Sequence, residues 1–350
     1  MKNNQYWIDR AKQRMKSYHK DSDKTILLIT RAYDKAIKDI EEDIRKIYDK
    51  FKFDSGLSDT EIRKLLNSRV DKKVLDELRE KLITIEDEEI RKAVMAKLNV
   101  PAYKARISRL EALKLNIYVE VKKVADIELK QSTSLYINTI KKSYYQSIFD
   151  IQKGLGIGFN VASMPTHIIE KILENPWSGK NFSQRIWSNT DLVAEKLTEI
   201  MLSGFMSGRT IDQMSRELSQ FTNTSKYVAT RLIRTELTYM ANQGELQSYK
   251  DLGIEKYIYV ATLDDRTSIM CQEMDREVVK VEDAKVGENF PPLHVFCRSS
   301  TRSYFGEDTL KGIKRRARDP ETGKTYLVPA DMKYEDWWNA YVKEKKGGEE

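Results

Sequence analysis

Gly253-Ile254-Glu255-Lys256-Tyr257-Ile258-Tyr259-Val260-Ala261 is where this 350-residue chain changes periodicity. Tyr257 to Ala261 is rich in aromatic and β-branched residues, as strands are. Gly253 ahead of it suits the left-handed residue on which helices end. Glu277-Val278-Val279-Lys280-Val281 is a second short strand candidate, with turn residues between the two. This pattern predicts a small antiparallel sheet packed on the helix that precedes Gly253.

That helix is predicted to start around Thr222 to Ser225, whose hydroxyls suit an N-cap, and to run to Leu252. One face carries Arg231, Thr235, Thr238, Asn242 and Glu245; another carries Val228, Leu232, Tyr239 and Leu246. The polar stripe has two readings, a hydrogen-bonded contact with the next element or a solvent face. Further upstream, residues 165–252 read as helical, with turns near Pro176-Trp177-Ser178-Gly179 and Ser207-Gly208. Gly154, Gly156 and Gly158 alternate without the spacing of a phosphate-binding fingerprint, and residues 154–164 read as a joint.

Residues 1–153 read as an extended α-helical arm or bundle. Ile29, Tyr33, Ile37, Ile40, Ile44, Ile47 and Phe51 recur at steps of three and four, which keeps one stripe facing a partner. Asp54-Ser55-Gly56 breaks that helix, and Ser58-Asp59-Thr60-Glu61 reads as a capping box. One helix is then predicted through Ile62, Leu66, Val70, Val74, Leu78, Leu82 and Ile85, with a break at Asn99-Val100-Pro101. Leu110, Leu113, Ile117, Val121 and Val124 begin another long stripe, uninterrupted by Gly or Pro up to Lys153. The fold class is therefore mainly α, with long amphipathic helices in the N-terminal half and a small C-terminal α+β module whose short antiparallel strands lie within 257–304.

Composition narrows the classes. No apolar run reaches the length of a membrane span, and Met1 to Asp21 is polar, unlike a secretory signal. Two cysteines in such a length do not make a disulfide scaffold, which fits a reducing cytoplasm. The net charge of +7 is uneven: residues 1–150 hold 33 Lys and Arg against 25 Asp and Glu, and the remainder 28 against 29. A basic half can approach nucleic acid by releasing counterions, although acidic residues are interleaved here as on any mixed-charge helix surface.

The unusual residue types gather between 257 and 304. Asp264-Asp265-Arg266-Thr267 is followed by Cys271, then by Pro291-Pro292-Leu293-His294-Val295-Phe296-Cys297-Arg298. Cys271, His294 and Cys297 are donors of the sort zinc selects, and Asp265 is a candidate fourth ligand. A Cys271–Cys297 disulfide is a second arrangement. A third is a packed core in which Asp265, Arg266 and His294 form a charge-assisted network around buried cysteines. A Cys271 nucleophile with His294 as base is conceivable, but no protease signature surrounds it. His19 and His167 lack such company and read as incidental.

The run Gly253-Ile254, Tyr257, Thr262 to Thr267, Cys271, Pro291 to His294 and Cys297-Arg298 resembles the phage Mu protein F-like family of head morphogenesis, or minor capsid, proteins of tailed phages. Arg234, Glu236 and Asn242 are similar to the family's preceding helix. Tyr6-Trp7 with Arg10-Ala11, and the tail from Arg318 to Tyr326 with Tyr334 to Trp338, are weaker echoes. Residues 165–304 would then be the family's α+β domain, with Asp264, Asp265, Arg266, Thr267, Pro292, His294, Cys297 and Arg298 as its structural motif. The family often has Cys-Arg-Cys after the histidine, whereas Ser299 follows Arg298 here, which removes one candidate ligand.

The resemblance implies a non-enzymatic protein of the virion, inside the head after assembly in the host cytoplasm. It implies the portal protein as partner, packaged double-stranded DNA as a second, scaffold or major capsid protein as others, and no membrane. Residues 305–350 read as a basic, partly ordered tail. Lys314, Arg315, Arg316 and Arg318 are candidate non-specific DNA contacts. Glu321-Thr322-Gly323-Lys324-Thr325 mimics the end of a P-loop, but Arg318 stands where its first glycine belongs, so it reads as a turn. Some proteins resembling this family carry a toxin domain after this region; the residues after Cys297 hold no His or Cys, which argues against one. The rival reading is a free-standing, non-specific DNA-binding protein of a mobile element.

Overall fold

The computed structural model describes residues 4–51, 59–70, 73–102, 108–156, 163–207, 209–306, 314–329 and 332–343. It is mainly α, with short antiparallel strands confined to the C-terminal part. The helices are α1 (Asn4–Phe51), α2 (Asp59–Leu66), α3 (Lys73–Lys81), α4 (Glu88–Ala102), α5 (Arg109–Leu155), α6 (Thr166–Glu174), α7 (Phe182–Met206) and α8 (Ile211–Asp251). Next come β1 (Lys256–Val260), α9 (Ile269–Glu273), β2 (Val278–Lys280), β3 (Ser300–Ser303), β4 (Lys314–Arg318), β5 (Thr325–Pro329) and α10 (Tyr334–Trp338). No helix among the described residues is long and apolar enough to cross a membrane.

Two compact units share these elements. One consists of residues 1–23, 134–181 and 231–350, the other of 24–133 and 182–230. The units are interleaved in sequence, whereas the linear reading divided the chain at residues 154–164. Three long helices, α1, α5 and α8, each contribute to both.

In the unit formed by 24–133 and 182–230, the apolar stripe of α1 is buried as read: Ile29, Ile40 and Ile44 are inaccessible. The helix expected through 62–85 is instead two, α2 and α3. Between them Ser68 accepts the Arg109 amide at 2.8 Å and Arg69 bridges Ser108, a backbone pairing that a continuous helix would forbid. The break expected at Asn99-Val100-Pro101 falls one residue later: α4 ends at Ala102, with the proline in its last turn, where it forfeits one helical bond only. Ser108 and Glu111 form a capping box at the start of α5. Asp126 accepts the amides of Glu86 and Asp87 at 3.1 and 2.6 Å ahead of α4. The capping box read at Ser58 lies outside the described residues.

The predicted start of α8 needs the largest correction. Thr222 and Ser225 cap nothing; both are buried inside the helix and donate to the carbonyls four residues back, those of Leu218 and Phe221. The true cap is Thr210, whose hydroxyl accepts the Gln213 amide while Gln213 accepts that of Thr210. The far end is as read: Gly253 has φ +64° and the Ile254 amide returns to the Tyr249 carbonyl at 2.9 Å.

In the unit containing the C-terminal part, β1 is the central strand of a sheet ordered β2-β1-β3, antiparallel throughout. Tyr257 stands opposite Val279 on one side and Ser303 on the other. The sheet packs on α8 and the end of α5 through Ile151, Leu246, Tyr249, Ile254, Tyr257, Val281 and Phe290. Gly156 ends α5 at φ +70°; Gly158 of the expected joint lies outside the described residues. The stretch read as a partly ordered tail carries the β4–β5 hairpin and α10, with a core of Leu263, Ala317, Val328, Tyr334, Trp337 and Val342. The P-loop mimic is the turn of that hairpin, with Gly323 at φ +65°.

Candidate functional site: a cysteine–histidine clamp

Cys271 sits on α9, which Ser268 opens by accepting the Cys271 amide. His294 and Cys297 lie on the segment leading to β3, just after the cis Pro291–Pro292 bond. The turn between them closes through the Cys297 amide and the His294 carbonyl at 3.2 Å, with Phe296 at φ +57°. Cys271 Sγ lies 3.8 Å from Cys297 Sγ and 3.2 Å from His294 Nε2. The His294 Nδ1 is 2.7 Å from the Val295 carbonyl, so it carries the proton and leaves the Nε2 lone pair facing the thiols.

Both cysteines are buried and free. They share hydrogen-bonding, so their acidities diverge. The contact with Cys297, then burial, pushes the Cys271 thiol well up. The contact with Cys271 brings Cys297 down to about 6, against burial and with help from the Ser299 and Leu293 amides. A thiol held up in this way is the reverse of an activated nucleophile. The three donor atoms lie within 4.8 Å of one another, a group able to hold a metal ion. Asp265 is not part of it: the residue is exposed, and no fourth Cys, His, Asp or Glu joins among the described residues. Sequence reasoning also missed Tyr259, whose hydroxyl lies 3.2 Å from Cys271 Sγ.

The network expected of Asp265, Arg266 and His294 is not formed, since Asp265 and Arg266 are exposed; a different one is built on Asp264 and Arg298. Arg298 grips both Asp264 oxygens at 2.5 and 2.8 Å. Thr267 Oγ1 and the Arg266 amide also donate to Asp264. Burial would raise this carboxyl, yet the Arg298 guanidinium outweighs it and holds Asp264 below the usual carboxylate range. Tyr334 on α10 donates to the Asp264 carbonyl at 2.7 Å, tying the C-terminal hairpin and helix to the same loop. The Arg266 residue is exposed and contributes its backbone; Pro292 is buried.

The polar stripe of α8 proves to be a contact surface. Thr235 Oγ1 accepts the Phe296 amide at 3.1 Å, Thr238 donates to the Cys297 carbonyl at 2.8 Å, and Asn242 reaches the Ser299 carbonyl at 3.4 Å. Glu245 turns instead to Arg14 at 2.8 Å, and Arg231 is exposed. Glu236 receives the Trp177 indole N–H at 3.1 Å, next to the stacked Trp177–Tyr239 pair. Arg234 donates to the His19 carbonyl and the Ser22 hydroxyl, both at 2.7 Å, and pairs with Asp23. His19 is therefore not incidental. Arg234 meets both its carbonyl and its ring Nδ1, the latter at 3.3 Å, a pairing across more than 200 residues that no local pattern records. Of the candidate DNA contacts, the side chains of Lys314, Arg315 and Arg316 lie outside the described residues; Arg318 is exposed and donates to the Gly323 carbonyl.

Two loops clasped by soft donors and an ion pair, then laid along one helix, define a small α+β structural module. Residues 195–302, which hold most of α8, the sheet and the clamp, match the family described as Phage Mu protein F like protein. Among curated proteins, the chain is 24% identical over 191 residues to an NAD(+)–arginine ADP-ribosyltransferase of Enterococcus faecalis. That match covers 49% of this chain and 39% of the relative, so the chain spans about two fifths of its length. No solved structure matches.

Proposed function

We propose that this protein is a minor head protein of a tailed phage, associated with the portal vertex and acting in head assembly or in packaging and delivery of DNA. The observation that carries the reading is the Mu F-like match, which supports a role in phage head morphogenesis and coincides with the clamped module. The protein would lie inside the head of the virion, after assembly in the host cytoplasm. Its partners would be the portal protein, packaged double-stranded DNA and the scaffold or major capsid protein. Non-enzymatic action is favoured by the match to a structural phage-head family over residues 195–302. The activity named for the Enterococcus faecalis relative belongs to a longer protein, of which under half is matched. Incubation with NAD(+) and an arginine acceptor should yield neither nicotinamide nor ADP-ribosylated arginine.

Capture on immobilised portal protein tests the main reading. Retention of the purified chain is expected; no retention, together with tight capsid-independent DNA binding, would favour the mobile-element protein instead.

The clamp is proposed to hold zinc. Tetrahedral zinc with Zn–S bonds of about 2.3 Å separates two sulfurs by roughly 3.8 Å, and Cys271 and Cys297 stand 3.8 Å apart. His294 Nε2 supplies the third donor, its Nδ1–H held by a carbonyl as metal-binding histidines usually are. The metal's contribution would be a crosslink between α9 and the His294–Cys297 turn. Metal analysis should find about one zinc per chain, lost in Cys297→Ser; a metal-free chain of undiminished stability would leave a hydrogen-bonded core.

A further inference from the structure

A cavity of about 570 Å³ opens in the unit that contains the clamp, walled by α1, the end of β1, Arg298 and the β4–β5 hairpin. Its size falls in the range of ligand pockets. Met15, Leu263 and Ala317 give it an apolar floor. Lys16 and Arg318, both exposed, stand at its walls, and neither has a carboxylate partner among the described residues. Arg298 also lines it, but its charge is answered by Asp264. Two uncompensated cations over an apolar floor ask for an occupant that is anionic at its edges and apolar in its body.

His19 also lines the cavity. Arg234 donates to its Nδ1 at 3.3 Å, so the ring proton sits on Nε2, which has no partner. Burial, then Arg234 and Arg298, bring this imidazole down to about 4, so at neutral pH it adds no charge to the cavity lining.

We propose that this cavity binds an acidic peptide segment bearing a large apolar side chain, contributed by a protein partner. The apolar side chain fills the floor while flanking carboxylates meet Lys16 and Arg318. A free phosphate is far too small for the volume. A DNA backbone would satisfy the two cations and leave the apolar floor empty. The proposal does not depend on a role in the phage head.

Fluorescence anisotropy tests it, with the full chain and a labelled peptide of alternating glutamate and phenylalanine. Saturable binding is expected, weakened by about tenfold or more in the Lys16→Glu, Arg318→Glu double variant. Lys35→Glu, an exposed substitution in the other unit, should leave it unchanged. The milder Lys16→Gln, Arg318→Gln pair should weaken it in the same direction; both positions are exposed, so folding is retained. The inference is overturned by absent binding, by binding indifferent to both double variants, or by equal binding of a peptide with serine in place of phenylalanine. Displacement by inorganic phosphate or a short DNA duplex as efficient as by unlabelled peptide would overturn it too.

Discussion

Glu128 is wholly buried on α5, and burial alone raises its carboxyl to about 8. The folded state therefore prefers it protonated. Its contribution to stability falls as pH rises from its unfolded value near 4.5 and levels off above 8. Glu128→Gln should remove that dependence and stabilise the protein at pH 9 by roughly 1–3 kcal/mol, read from urea unfolding. Asp264 has the opposite sign. Held below its ordinary range by Arg298, it supports the fold at neutral pH and loses that support as pH drops below the usual carboxylate value. Arg298→Ala should cost about 2–4 kcal/mol, because it strands a buried carboxylate. Asp264→Asn should make unfolding less acid-sensitive.

At the level of elements, α5 and α8 approach closely at Gly244, where a Cβ would stand 2.0 Å from Ser143 Oγ and 2.5 Å from the Ile140 carbonyl. Alanine is the better helix former by about 1 kcal/mol, yet a backbone carbonyl cannot rotate away. Gly244→Ala should therefore destabilise by about 1–3 kcal/mol in thermal or denaturant unfolding. The start of α8 offers the complementary case: Thr210→Ala should cost about 1 kcal/mol, whereas removing the Thr222 hydroxyl should spare the helix end. Both helices contain polar residues whose hydroxyls are buried and bonded to their own turns, and this defeats a reading that takes every Thr or Ser as a boundary. Ser225 is one of them, and Thr235 another, while Thr238 divides its bond between its own helix and the Cys297 loop.

For the whole molecule, the charge of +7 and the basic run at 314–318 lead us to expect DNA binding that ignores sequence and falls steeply with salt. Joint replacement of Lys314, Arg315 and Arg316 by alanine should flatten the salt dependence by up to about three counterions in the log–log slope. An unchanged slope would move the contact to the basic N-terminal half. On the proposal that the clamp holds zinc, a chelator should lower the unfolding temperature of the wild type and leave that of Cys297→Ser unchanged.

Tyr257-Ile258-Tyr259-Val260-Ala261 and Gly253 were legible in the sequence because strand composition and a left-handed helix cap are local properties. So was the group of Cys271, His294 and Cys297, since two residue types that are rare in this chain fall within 27 positions. The polar stripe of α8 was visible as a pattern, but its partner was not. Only tertiary structure decided that Asp264 rather than Asp265 faces Arg298, since neighbours in a loop differ in direction and not in type. It likewise decided that Ser68 breaks a helix by pairing with Arg109, and that Thr210 rather than Thr222 begins α8. These outcomes turn on which backbone groups find partners far away in sequence, a competition that no local pattern records.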